Sequence, residues 1–202
     1  MTNTKTREKT RSSAPTSAVP ATRGRPSWLG WAAFLIPAVA LAVAVALSMG
    51  TGKGDTMSGL RAPDFALPAT DGSTRSLAGY LTEGKALLYF SMGPGCDGCF
   101  LQIPEAEQRL TDLGLTLVPI MVDPAPVVAA EARRFGISTP ILIDADRAVS
   151  SAYDMIDAYG HGDRPSHSFA LVDSGGNVET VAHYAEMFVP IESLLADLGL
   201  AG

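Results

Sequence analysis

The order of apolar runs in this 202-residue chain predicts an α/β domain, a three-layer fold with a mixed central sheet, preceded by one N-terminal transmembrane helix. Three observations carry that prediction. Strand-like and helix-like runs alternate between residues 85 and 156, two strand-like runs flank the turn at Gly175-Gly176, and residues 28–48 contain no charged side chain. Alternation asks for parallel strands joined by crossovers, and a late hairpin adds antiparallel ones.

Residues 1–27 are rich in Ser, Thr and Pro and carry six basic side chains against Glu8, so they read as a disordered basic tail. As a helix, residues 28–48 would cross ~30 Å of hydrocarbon, with Trp28 and Trp31 at interfacial depth and Pro37 tolerated inside. The basic flank precedes this span, and residues 49–60, a linker, hold only Lys53 and Asp55. The positive-inside rule therefore expects a single-pass cell-membrane protein with a cytoplasmic N-terminus and an extracytoplasmic C-terminal domain. A cleaved signal peptide is the alternative, because Ala42-Val43-Ala44 resembles a cleavage site; both readings deliver the domain to the same side.

Residues 61–202 are enough for one domain with its own core. Residues 61–68, with Asp71-Gly72 and Ser76-Leu77, read as a short edge strand, a turn and a second short strand. Strands follow at 86–90 and 115–122, a helix at 126–135 closed by Gly136, a brief apolar run at 140–144 and a helix at 147–156. A hairpin of 167–172 with 177–184 and a helix at 191–198 complete the chain. From Thr51 onward, 20 Asp and Glu against 9 Lys and Arg exclude nucleic acid and anionic membrane surfaces as ligands.

The chain's two cysteines, Cys96 and Cys99, lie between the strand at 86–90 and a helix-like run at 100–113. A bridge between them would enclose only Asp97 and Gly98, so it would add little stability and is better explained by chemistry. At a helix N-terminus the first thiol meets the positive end of the dipole and unpaired N–H groups, which favour its thiolate. Cys96 is thus expected to attack a substrate disulfide and Cys99 to resolve the mixed intermediate. Asp97 opposes the Cys96 thiolate, which leans the pair toward the role of reductant.

With Cys96-Asp97-Gly98-Cys99 after a core strand, Pro104 five residues further on, and Pro165 ahead of a strand, the chain resembles the thioredoxin-like superfamily. The stretch Ala62-Pro63-Asp64-Phe65-Ala66-Leu67-Pro68 looks like the opening of its redoxin branch, which holds the AhpC/TSA peroxiredoxins and membrane-anchored disulfide reductases of the TlpA type. The resemblance implies a cis-proline at Pro165 facing the disulfide, and a substrate groove lined by Pro165, Arg164 and His167. It implies a protein disulfide or a hydroperoxide as substrate. The thiols carry the electrons, so no bound cofactor is expected, and outside the cytoplasm the return path would be a membrane electron donor. The peroxiredoxin motif Pro-x-x-x-Thr-x-x-Cys is not kept in register with either cysteine, and the segment from Pro165 to Phe169 is longer than the TlpA pattern.

Two rivals share these residues. Gly93-Pro94-Gly95-Cys96-Asp97-Gly98 has the spacing of a dinucleotide fingerprint, with Asp123 placed as a ribose-binding acid. Cys96, Cys99 and His167 could bind copper in the manner of the Sco proteins, which the chain also partly resembles. His161 and His183 are expected to face solvent.

Overall fold

The computed structural model describes residues 56–201. The basic tail, the apolar span at 28–48 and the first part of the linker lie outside the described residues. No helix among the described residues is long and apolar enough to cross a membrane.

A five-stranded sheet organises the domain. Its strands are β3 (Lys85–Phe90), β4 (Leu115–Met121), β5 (Leu142–Ile143), β6 (His167–Val172) and β7 (Val178–Tyr184), in the order β5-β4-β3-β6-β7. β3, β4 and β5 pair in parallel, whereas β6 and β7 run antiparallel, so the sheet is mixed. A separate antiparallel hairpin, β1 (Ala66–Pro68) with β2 (Thr74–Ser76), precedes it. The helices are α1 (Leu77–Leu81), α2 (Asp97–Asp112), α3 (Ala125–Arg134), α4 (Ala148–Ala152) and α5 (Ile191–Asp197).

Side chains alternate across the sheet with the period of two that a pleated strand imposes. Leu87, Tyr89, Leu117, Met121, Phe169 and Leu171 face one core, where α2, α3 and α5 supply Phe100, Ile103, Leu110, Val128 and Leu194. Ala86, Leu88, Phe90, Val118, Ile120 and Ala170 face the other, closed by Phe65, Leu67, Leu77, Tyr153 and Met155. The central strands are buried on both faces, which explains why they read as continuous apolar runs.

Two sequence expectations need correction. Leu77 opens a helix and does not continue a strand, because the Ser76 hydroxyl accepts the Gly79 N–H at 3.1 Å and caps α1. The helix expected over 147–156 is confined to Ala148–Ala152, since Arg147 and Asp154, at its two ends, both adopt positive φ. The carboxylate of buried Asp144 accepts N–H groups of Val149 and Ser150 at that helix's start.

Candidate active site

β3 ends in the sheet centre at Phe90, and the chain turns through Met92 to Gly95 into α2. Cys96 is the N-cap of that helix, with extended backbone, and its Sγ accepts the Cys99 N–H at 3.2 Å. The two cysteines are joined by a disulfide, with Cα atoms 5.4 Å apart. Cys96 keeps 7% of its surface exposed and Cys99 none. Once the bridge opens, the cap N–H and the positive end of a 16-residue helix favour negative charge on Cys96. The helix runs on through Pro104 to Asp112, although Pro104 cannot donate to the Phe100 carbonyl.

Arg164 braces the loop that leads to Cys96. Its guanidinium holds both carboxylate oxygens of Asp123, at 2.7 and 2.9 Å, and donates to the Met92 carbonyl at 2.7 Å. The side chain expected to line a groove is thus committed to a two-pronged ion pair, and Asp123 is not free to bind a ribose. Gly93 lies beneath this clamp with φ of +83°, and a Cβ there would meet Asp123 Oδ2 at 2.7 Å. Gly93→Ala should therefore lower stability by about 1–3 kcal/mol in urea denaturation, from backbone strain plus contact. Combined with Asp123→Ala, it should cost less than it does alone; strict additivity would show that the contact is not felt.

Pro165 and His167 depart from expectation. No cis peptide bond occurs among the described residues, so the Arg164–Pro165 bond is trans. The reason is visible in the pairing: Pro165 bridges Ile156, with Asp157 N–H bonded to the Arg164 carbonyl and Ser166 N–H to that of Met155. That extended pairing holds Pro165 buried and keeps the bond in its ordinary trans form. His167 does not line a groove either. It is fully buried under the first turns of α2, 4.9 Å from the Tyr89 ring centre and 5.3 Å from that of Phe169. Its Nδ1 meets the Tyr89 hydroxyl at 2.9 Å, and that hydroxyl also reaches the Cys99 carbonyl at 3.1 Å. Its Nε2 lies 3.1 Å from Gln102 Oε1, which also accepts the Val189 N–H at 2.8 Å. Burial pushes the imidazole pKa down to about 4.

The two residues between the cysteines face different neighbours. Asp97 forms an exposed ion pair with Arg134, whose guanidinium lies 4.8 Å over the Phe135 ring; Phe135 in turn stacks on Phe100. Part of the anionic charge beside Cys96 is thereby offset, though exposed pairs of this kind contribute at most about 1 kcal/mol. Gly98 is pressed against the loop after β7, where an added Cβ would meet the Met187 carbonyl at 2.6 Å.

His167, with both ring nitrogens engaged inside the protein, is not presented to a metal held by the cysteines. Among the described residues no group of three or more His, Cys, Asp or Glu could hold a metal ion. His183 Nδ1 meets the Ser168 hydroxyl at 2.8 Å and is half-buried, as is His161, so neither is the free surface histidine expected. Sequence reasoning passed over Tyr89, Gln102, Arg134 and Met187. Gln102 alone gave a signal, as a polar residue on the apolar face marked by Cys99, Ile103, Ala106 and Leu110.

A family model described as the AhpC/TSA family matches residues 58–181. A Mycobacterium tuberculosis protein assigned to the peroxiredoxins is 34% identical over 105 residues, covering 50% of this chain and 64% of that protein. The thiol-disulfide oxidoreductase ResA of Geobacillus thermodenitrificans is 31% identical over 127 residues, covering 61% of this chain and 67% of its own. Among solved structures, the peroxidoxin BcpB of M. tuberculosis superposes with a TM-score of 0.57 at 22% identity, over 72% of this chain and 96% of its own. AhpC of Enterococcus faecalis gives 0.61 at 15% identity, over 71% and 90%. At these identities the superpositions speak for the fold, which is thioredoxin-like.

Proposed function

Starting from a chain that belongs to the AhpC/TSA family, we propose that it is a thiol-disulfide oxidoreductase in which Cys96 attacks and Cys99 resolves. The observation that carries this reading is the asymmetry of the pair. Cys96 is partly exposed and caps a helix, accepting an N–H on its sulfur, whereas Cys99 is enclosed three residues on. The thiolate of a dithiol donor attacks the disulfide, Cys99 leaves as a thiol, and a mixed disulfide forms on Cys96; the donor's second thiol then releases Cys96. In the opposite direction the reduced pair passes the same two electrons to a substrate disulfide. The thiols carry the electrons, so the step needs no resident cofactor.

The apolar span at 28–48 and the basic flank before it support a membrane-anchored protein acting outside the cytoplasm, fed by a membrane electron donor. The ResA relatives support a protein disulfide as substrate. Hydroperoxide is the second reading, supported by the relatives assigned to the peroxiredoxins. Against it stands Arg164, whose guanidinium is engaged by Asp123 and Met92 and is not free to face a peroxide at Cys96.

The test is the reduction potential of the pair in the full-length chain in detergent micelles, read by mass spectrometry of trapped thiols across a glutathione series. A reversible two-electron couple near the ~−270 mV of thioredoxin supports a disulfide reductase, and a value near ~−120 mV reverses the direction of flow. The absence of any reversible couple would sink the exchange reading.

A further inference from the structure

Beneath the disulfide lies a closed chain of contacts that is one proton short. Gln102 Oε1 already accepts the Val189 N–H, so it can face His167 Nε2 only if that nitrogen carries a proton. A neutral imidazole then has a bare Nδ1, which needs the Tyr89 hydroxyl proton across 2.9 Å. The same hydroxyl also lies 3.1 Å from the Cys99 carbonyl, a helix acceptor that can only accept. Three contacts require three protons, whereas Tyr89 and neutral His167 hold two. With the Tyr89 proton on His167, the phenol and Cys99 carbonyl lone pairs face each other across 3.1 Å in a fully buried site, which disfavours the neutral ring. Turning the Gln102 amide over does not repair the count, because Val189 N–H would then face an NH2 group. Gln102 Nε2 is itself buried without a partner, so the amide orientation is set by its oxygen.

A second proton on His167 would satisfy all three contacts at once: Nδ1–H to Tyr89, Tyr89 O–H to Cys99, and Nε2–H to Gln102. Against it stands only the cost of burying the charge. The titratable neighbours are Tyr89 from β3 and Tyr184 from β7, both held above the usual tyrosine range by burial, and so neutral. Through Tyr184 the nearest charge along these contacts is Asp197, which accepts from its hydroxyl at 2.8 Å. Opening the disulfide adds a new charge on the same helix turn, the Cys96 thiolate.

We propose that His167 is a positioning residue that holds a proton for the Cys96–Cys99 pair: reduction draws a proton onto its imidazole, and the resulting cation steadies the Cys96 thiolate. This rests on the exchange reading above. The step balances: a dithiol donor gives two electrons and two protons and becomes a disulfide. One proton goes to Cys99 Sγ as the S–S bond breaks, and the other goes to His167 and not to Cys96.

The test is a pH titration of the histidine ring nitrogens by 15N NMR on the full-length chain in detergent micelles, in the disulfide form and after reduction with dithiothreitol. His167→Gln identifies the signal among the three histidines. The expected result is a neutral Nε2–H ring in the disulfide form and a proton affinity about a thousandfold higher in the dithiol form, enough to hold the proton near pH 7. By linkage, His167→Gln should then slow iodoacetamide alkylation of Cys96 at pH 6 by about tenfold. If that variant does not fold, Tyr89→Phe keeps the ring packing and should cut the difference between the two titrations. A disulfide that opens while the His167 titration stays unchanged overturns the proposal alone. A disulfide that cannot be reversibly reduced fails the exchange reading and takes this proposal with it.

Discussion

Cys96→Ser should abolish disulfide exchange, a loss on the order of 10³-fold or more in turnover of a disulfide-bonded peptide with dithiothreitol as donor. Cys99→Ala should behave differently, because the nucleophile that keeps some surface survives and only its release fails. That variant should accumulate a mixed disulfide on Cys96, seen by mass spectrometry as a peptide adduct lost on reduction. The contrast follows from burial: Cys96 keeps 7% of its surface and Cys99 keeps none. Adducts that form on Cys99 in Cys96→Ser as fast as on Cys96 in Cys99→Ala would reverse the assignment of roles.

Acid should unfold the disulfide form early. His167 has a folded pKa of about 4, against about 6.5 for an exposed histidine, and the cause is burial. Between those values the unfolded chain binds a proton that the folded chain refuses. The stabilisation is therefore complete above pH 6.5 and is lost as pH falls toward 4, by about 3 kcal/mol over the window. Below pH 4 this contribution is flat. Asp173, held below the usual carboxylate range by hydrogen bonds from Asn177, acts on the acid side of that window and does not overlap it. Urea midpoints measured from pH 7 to 4 should fall steeply for the wild type and only weakly for His167→Gln. Equal slopes would show that the buried imidazole does not carry the effect.

Much of the architecture was legible because it depends on local pattern. The apolar runs of β3, β4 and β6, the helix after the cysteines and the hairpin at Gly175-Gly176 each declare themselves within about ten residues of sequence. The disulfide was legible for the same reason, since three residues of spacing leave little else for two thiols at a strand-to-helix junction. What escaped depends on distance along the chain. Gln102 and His167 are 65 residues apart, and Arg164 and Asp123 are 41 apart, so nothing local marks either pair. His167 looked like a groove residue because it follows Pro165, yet the register that opposes Tyr89 to Phe169 turns it under the helix. The helix α1 was missed because five residues are too few to display a periodicity; Ser76, its cap, was the available sign.

The approach of Met187 to Gly98 restricts how the site could be re-engineered or could drift in evolution. A side chain at Gly98 would have to displace backbone, not a flexible tip, because the nearest atom is a main-chain carbonyl oxygen. Of the two positions enclosed by the disulfide, only the exposed Asp97 has room for exchange of its side chain. Variation in this chain's redox behaviour therefore has a single adjustable residue inside the ring. Libraries that randomise both positions would lose most members to misfolding before any of them could be compared as redox catalysts.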